Sequence, residues 1–474
     1  MQVTSQTFKS NAGAALRDAA LQRALKNLKA GFPGKRAAAI AKLPEFDQLR
    51  DAGRDLKNHV LEHLDFYLER FEAKVIEQGG QVHWARDAAE ARQIVLDICR
   101  SVAARRVTKG KSMISEEIGL NEFLEAHGIQ PVETDLGEYI IQLRHEHPSH
   151  IIAPAIHLNR DQVADAFHAH HGPYGFTERN EEPRALMNEA RQVLRQQFLS
   201  ADVGITGANF CIAETGTTVI VTNEGNGDLT QILPRVHIAL ASIEKMVPTL
   251  EDVSTLTRLL TRSATGQEIT VYTTFSSGPR RPDDLDGPEQ FHVVLLDNGR
   301  SGMLGGEFQD MLRCIRCSAC MNHCPVYGAI GGHAYGWVYP GPMGSVLTPQ
   351  LVGIDAAGQL PNASTFCGRC EEVCPMHIPL PKMMRHWRER EFERHLSPAA
   401  VRFGLSAWAF FAKRPRLYRI VAGVGAWLLR RLGGRKGRIK NLPLAGGWTA
   451  WRDLPVPQGR TFQQQWAARQ GARS

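Results

Sequence analysis

Seven of the nine cysteines in this 474-residue chain fall between Cys314 and Cys374. They form two runs, Cys314-x2-Cys317-x2-Cys320-x3-Cys324-Pro325 and Cys367-x2-Cys370-x3-Cys374-Pro375. A segment so crowded with thiols either cross-links them or hands them to metal. In a compartment that keeps thiols reduced, such bunching argues for metal.

The first run has the spacing of bacterial four-iron cluster motifs. Two intervening residues let three thiolates grip one face of a cubane. The fourth cysteine, past the loop, points away and serves the other cluster. The following proline stops the chain continuing as a helix through the site. Cross-ligation then assigns Cys314, Cys317, Cys320 and Cys374 to cluster 1, and Cys324, Cys367 and Cys370 to cluster 2. A full second motif would have a cysteine at position 364, where Ser364 stands. The fourth site of cluster 2 is therefore open to Ser364, water, a substrate, or nothing, as in a three-iron cluster. The expected cofactors are two [4Fe-4S] clusters, the second with a [3Fe-4S] form or a non-cysteine fourth ligand as alternatives. Zinc is the rival metal, but it prefers four ligands in separated pairs. Soft thiolates favour iron–sulfur clusters in any case. Two clusters built by cross-ligation lie close together, which suits electron relay better than a structural role.

Charge divides the chain as unevenly as cysteine does. From Val401 to Ser474 there are 15 lysines and arginines against one acid, Asp453, a surplus of 14. The whole chain carries +7, so residues 1–400 stand at −7. The tail is a separate electrostatic object. The N-terminal residues MQVTSQTFKSNAGAALRDAA lack the apolar core of a secretory signal. The apolar run Ile420–Leu429 is too short for the ~20 residues that span a bilayer. The expected location is the cytoplasm, with peripheral attachment at the inner membrane face as an extension.

Residues 1 to about 70 read as helices, and KNHVLEHLDFYLERFEAKVIEQ (57–78) reads as a helix that Gly79 and Gly80 end. QVHWA (81–85) reads as a strand. Asp87 opens a helix that buries Ile94, Val95, Ile98 and Cys99. Arg106–Lys111 returns as strand and loop, and Ser115 caps the next helix, which Gly128 closes. Further strands are expected at Glu138–Leu143, Ser149–Ile156, Thr218–Thr222, Ile269–Ser276 and Phe291–Leu296, and helices at 161–170, 183–199 and 235–247. This alternation predicts an α/β domain with a largely parallel sheet. The expected organisation is an N-terminal helical segment (1–70), the α/β domain (71–300), a helical ferredoxin-like two-cluster domain (301–396) and a basic C-terminal region (397–474).

Other residues are weaker candidates. Glu214 and Glu224, in AETGTTVIVTNEGNG, are placed to act as a nucleophile or in ligand binding, against the plainer reading of a strand between tight turns. Lys109, Lys111 and Ser112 form an anion site or, more simply, a solvated loop. His145, His147 and His150, and His168, His170 and His171, read as surface or helix-face residues. Cys99 and Cys211 read as core thiols. No GxGxxG follows a strand, so the case for a dinucleotide is weak. Trp408, Phe410, Phe411, Tyr418 and Trp427 lie among the basic residues of the tail. That mixture suits an acidic partner first and an anionic membrane near a quinone-linked acceptor second. No nucleic-acid motif is recognisable, and none is expected as a partner.

The segments CIRCSACMNHCPVYGAIGG and STFCGRCEEVCPMHIPLP, with ADVGITGANFCIAETGTTVIVTNEGNGD, MISEEIGLNEFLEAHGI and FHVVLLDNGRSGML, together resemble the lactate utilization protein B family. The resemblance spans nearly the whole chain. It implies a subunit of a three-protein system that oxidises L-lactate to pyruvate, with this subunit handling electron transport through the seven cysteines assigned above. The family also has three cysteines in its second motif, so Ser364 is no departure. The resemblance further implies an α/β fold shared with sugar-phosphate isomerases and CoA transferases, and the other lactate-utilization subunits as partners. Two rival readings stand beside it. One is an enzyme acting on an organic acid or CoA ester in the α/β domain, with an open iron as Lewis acid. The other is an iron–sulfur redox sensor.

Overall fold

The structure is a computed structural model that describes residues 3–110, 112–434, 437–442, 446–449 and 452–471. The chain divides into two compact units, Met1–Arg390 and Glu391–Ser474.

Four helices open the first unit: α1 (Phe8–Ala15), α2 (Ala19–Ala41), α3 (Phe46–Glu62) and α4 (Leu64–Glu77). The Asp18 carboxylate caps α2 by accepting from the Ala20 and Leu21 amides, as short acidic side chains do at helix starts. The α/β region follows as β1 (Gln81–Ala85), α5 (Ala88–Ser101), β2 (Arg106–Lys109), α6 (Met113–Glu117), α7 (Leu120–Ala126), β3 (Gln130–Glu133), α8 (Leu136–Leu143), α9 (Arg160–His170) and α10 (Pro183–Leu199). It continues through β4 (Val203–Gly207), β5 (Phe210–Ile212), β6 (Thr217–Thr222), α11 (Asn226–Ile232), β7 (Val236–Ser242), β8 (Met246–Val247), α12 (Leu250–Ala264), β9 (Tyr272–Ser276) and β10 (Gln290–Leu296).

Six of these strands make one sheet in the order β1-β10-β7-β4-β2-β3. Every neighbouring pair is parallel, with Val293 opposite Ala239 and Gly204 opposite His237 in the middle. Parallel sheets are covered on both faces. Here Val95, Leu96, Val107, Ile205 and Ile238 pack in one apolar group, while Phe71, Val75, Ala239, Val293 and Leu295 pack in another. A second sheet, β8-β5-β6-β9, is mostly antiparallel.

Three sequence expectations fail, each for a visible reason. Residues 235–247 hold β7 and β8, not a helix. All seven residues of β7 are buried, and a strand covered on both faces shows no alternation to tell it from a buried helix. Glu138–Leu143 lies in helix α8, because Asp135 accepts from the Gly137 and Glu138 amides and caps it. Ser149–Ile156 forms turns rather than a strand. The His150 ring takes the Ile152 and Ala153 amides at 3.1 Å each, and Ser149 donates to Pro154 across the turn. Two boundaries also shift. Strand β9 starts at Tyr272, not Ile269. The helix expected from Ser115 is two short ones, capped by Ser112 and broken at Gly119, whose φ is +63°.

The cysteine region consists of helices joined by tight loops, with Cys320 in α13, Cys370 in α17 and the other five cysteines in the loops: α13 (Ala319–Asn322), α14 (Tyr327–Ile330), α15 (Gly341–Val352), α16 (Ile354–Ala357), α17 (Arg369–Glu372) and α18 (Leu380–Glu393). Their core is shared with α1–α3 and α12, through Phe8, Leu28, Phe46 and Leu256. The cysteine region, the N-terminal helices and the second sheet therefore fold around one apolar mass.

The second unit begins with α19 (Ala399–Ala412) and α20 (Pro415–Gly433). No described helix is long and apolar enough to cross a membrane.

Candidate metal centre

The two cysteine runs share one backbone device. Arg316 and Ser318 adopt φ of +60° and +61°, and fifty positions on Phe366 and Gly368 adopt +54° and +81°. Left-handed backbone is unfavourable for residues with a Cβ, so its repetition at three such positions marks a turn that the fold enforces. Each turn feeds a four-residue helix, α13 or α17, that carries Cys320 or Cys370. Ser364 then occupies the place that Cys314 holds in the first run. Its hydroxyl accepts from the Phe366 amide at 3.1 Å.

Five of the seven thiols are buried; Cys314 is half-buried and Cys367 exposed. Burial pushes the Cys317 thiol up, and the nearby Cys374 and Cys314 add to it. Burial likewise raises Cys320, with Cys314, Cys317, Cys374 and Cys370 as its charged neighbours. The Cys324 thiol is raised by burial and by Cys367. Cys370 is pushed up to about 12 by burial, with Cys324 and Cys367 beside it. So Cys374 lies within electrostatic reach of the first-run thiols, and Cys324 within reach of Cys367 and Cys370. Backbone amides face the sulfurs: Ile378 and Met376 toward Cys374, Val326 and Tyr327 toward Cys324, and Ala319 toward Cys317. Among the described residues no three Cys, His, Asp or Glu side chains close around a single ion. Each iron of a cubane takes its own outer thiolate, so the sulfurs of such a site stand wider apart. Soft donors in two groups, met by amide donors, fit iron–sulfur chemistry.

The surroundings contain residues that sequence reasoning missed. Arg36 on α2 donates to the Val373 carbonyl at 2.8 Å, and Arg50 on α3 to the Cys374 carbonyl at 2.8 Å. Arg313 donates to the His377 carbonyl at 3.1 Å. Arg36 and Arg50 tie the second run to helices more than 320 residues earlier in the chain, and no local pattern announces them. A buried charge network joins the first run to the parallel sheet. The Glu117 carboxylate accepts from both terminal nitrogens of Arg300 at 2.6 and 2.9 Å, from Tyr339 at 2.6 Å and from Asn298 at 2.7 Å. Glu244 pairs with Arg300 and with Arg316, each at 3.2 Å. Burial alone would raise Glu244, but Arg300 and Arg316, with Lys245 beside them, outweigh it and hold the carboxyl at about 2.

Beside Arg316 lies a cavity of about 370 Å³ at the carboxyl ends of β2, β4 and β7. Ligand sites of open α/β sheets form at such strand ends. Glu224 is at its edge and solvent-exposed, while Glu214 lies exposed in the β5–β6 turn and outside it. The remaining candidates sort as follows. Lys109 is fully buried, not in a solvated loop, and its ammonium pairs with Glu133 at 2.6 Å and Glu116 at 3.2 Å. Ser112 caps α6, and Lys111 lies outside the described residues. His150 and His171 are fully buried rather than at the surface, bonded to Asn322 and Glu189, while His145, His168 and His170 are exposed and His147 half-buried. Cys99 and Cys211 are core thiols, each pushed up to about 12 by burial.

Residues 68–296 match the LUD domain family, and residues 310–378 match the 4Fe-4S dicluster domain. The fold and the cysteine region thus define an iron–sulfur protein, with a LUD domain followed by a ferredoxin-like dicluster domain. A lactate utilization protein B from Macrococcus caseolyticus is 42% identical over 98% of this chain and 97% of its own length. The uncharacterized electron transport protein YkgF of Escherichia coli is 40% identical over 97% and 96%. The chain belongs to the lactate utilization protein B family. A crystal structure of a DUF162 family protein from Deinococcus radiodurans aligns over 49% of this chain and 98% of its own, at 15% identity and a TM-score of 0.28.

Proposed function

We propose that this chain is the electron-transfer subunit of a system that oxidises L-lactate to pyruvate. It holds two [4Fe-4S] clusters, one on Cys314, Cys317, Cys320 and Cys374 and the other on Cys324, Cys367 and Cys370. The observation that supports this assignment most is electrostatic: Cys374 acts on Cys317 and Cys320 of the first run, and in the second Cys367 acts on Cys324 and both act on Cys370. When bound, the clusters supply one-electron uptake and release. The chain's own part is to bury the thiols and aim amides and arginines at them, which sets the potential. The names of its relatives support the lactate reading and the electron-transport reading. Within this reading the chain comprises the four segments bounded near residues 70, 300 and 396, works with the other lactate-utilization subunits, and resides in the cytoplasm.

The test is reduction by lactate under anaerobic conditions, read by cluster absorbance. Bleaching by L-lactate with the partner subunits present, and none without them, is the expected result. Bleaching by lactate with the isolated chain would move the oxidation chemistry into this subunit. No bleaching in either case would remove lactate as the electron source.

A second observation favours attachment to an anionic membrane surface. Helices α19 and α20 bury no side chain larger than glycine and expose Phe403, Trp408, Ile420 and Trp427. The 399–434 segment also carries seven basic residues and no acid. Aromatic and basic side chains together bind such surfaces. Co-sedimentation with vesicles containing phosphatidylglycerol, lost when Trp408 and Trp427 are both changed to Ser, is expected. Equal binding to neutral vesicles would count against it.

A further inference from the structure

The cavity at the strand ends has one unusual wall residue. Lys245 lines it and is 7% exposed. Among the described residues, no hydrogen bond or ion pair reaches its ammonium. Among the described residues, the other buried cations nearby are engaged: Arg300 and Arg316 with carboxylates, and Lys57 with the Glu244 and Met246 backbone carbonyls. Burial works against its charge, and Glu244 and Cys314 are the opposite charges that act on it, without a direct ion pair. The rest of the lining joins apolar side chains, such as Ile114, Leu240 and Leu260, to the polar groups of Thr206 and Asn209, with the acids Asp135 and Glu224 also on the wall. A volume of about 370 Å³ far exceeds an inorganic ion and suits a small organic molecule.

We propose that this cavity binds a small organic carboxylate, whose charged end meets Lys245 and whose apolar body fills the space toward α12. Among the described residues, Lys245 is the lining cation outside any ion pair, since Arg316 is held by Glu244, and one positive charge balances one negative charge. A phosphate group, with nearly two, would leave part of its charge uncompensated in a buried place. The site adjoins the first cysteine run, since Arg316, between Cys314 and Cys317, is part of its wall. It rests on the lactate reading above only in the choice of first probes.

The test is isothermal titration calorimetry on the full chain, purified anaerobically with its clusters. The probes are L-lactate, pyruvate, 2-oxo-4-methylpentanoate, the neutral ester methyl pyruvate, and inorganic phosphate. At least one carboxylate is expected to bind, and the larger oxo acid more tightly than pyruvate. The ester and phosphate should give no heat at the same concentrations. Lys245→Met should weaken the carboxylate by about tenfold or more, the worth of one charge-assisted hydrogen bond. This variant removes a charge on which burial weighs more than its neighbours do, so its unliganded form should melt no lower than the parent. Should it fail to fold, Ala264→Leu fills the same cavity from α12 with Lys245 untouched, and should abolish binding. If 2-oxo-4-methylpentanoate binds while lactate and pyruvate do not, the site stands and the lactate reading falls. Absence of heat with every carboxylate, equal binding of the ester, stronger binding of phosphate, or unchanged binding in Lys245→Met or in a folded Ala264→Leu protein would overturn the proposal.

Discussion

The two cysteine runs use the same turn and the same short helix, yet they sit in different surroundings. In the first run, Cys317 and Cys320 are buried, and Arg316, just before Cys317, is locked by Glu244 into a network that reaches the parallel sheet. In the second, Cys367 is exposed, and a hydroxyl, Ser364, stands where the first run has Cys314. Its anchors are arginines that grip backbone carbonyls from α2 and α3. The same local sequence grammar thus yields an enclosed site and an open one. What differs is the packing around them. On the proposed reading, the enclosed site keeps a stable cluster, while the open one exchanges electrons, or a ligand, with something outside.

The largest expected effect separates the runs directly. Cys320→Ala should remove a ligand at the centre of the shared core and leave the protein poorly soluble or with about half its iron. Cys367→Ala, at the exposed edge, should leave a folded protein that retains the first cluster. Iron analysis and circular dichroism of the two variants check this. Equal damage from both would erase the distinction.

Next is the charge network of the enclosed run. Glu244→Gln leaves Arg300 and Arg316 short of a buried counter-charge, which should cost about 3–5 kcal/mol in urea unfolding. The sign of its pH dependence follows from the depressed carboxyl. The stabilisation from Glu244 is fully present above its ordinary value of 4.5, and is lost as pH falls toward about 2. The variant should therefore lose less stability than the parent between those values.

A smaller effect is expected where the two parts of the first unit meet. A methyl group on Gly332 would sit 1.8 Å from the Ser149 carbonyl oxygen, beside the 2.8 Å bond from the Tyr327 hydroxyl to that same oxygen. Gly332→Ala should cost about 1–3 kcal/mol, read by the same unfolding curve. The smallest change in stability, within about 0.5 kcal/mol, belongs to Ser364→Cys at the half-buried site of the open run. This variant should nonetheless alter the electron paramagnetic resonance of the second cluster, because it offers a fourth thiolate. An unchanged spectrum would mean that position 364 does not face iron.

Much of this was legible because cysteine spacing is a local code. The pairing of runs and the odd Ser364 follow from counting along the chain. The strands Gln81–Ala85 and Phe291–Leu296 were readable from their composition and bounding turns. Strand β7 was not, because burial on both faces erases the alternation by which strands are recognised. Helix α8 was misread because its apolar run looks like a strand until the Asp135 cap is seen. The arginines of α2 and α3, the Glu117–Arg300 pair and Lys245 were invisible for another reason. Their meaning lies in who their neighbours are, and those neighbours are brought together only by the fold.

The most direct test of the central claim is iron and sulfide analysis of the anaerobically purified chain, with electron paramagnetic resonance of oxidised and dithionite-reduced samples. About eight irons per chain, with interacting four-iron signals on reduction, is the result predicted for two neighbouring clusters. Zinc in place of iron, with no such signal in either state, would contradict it.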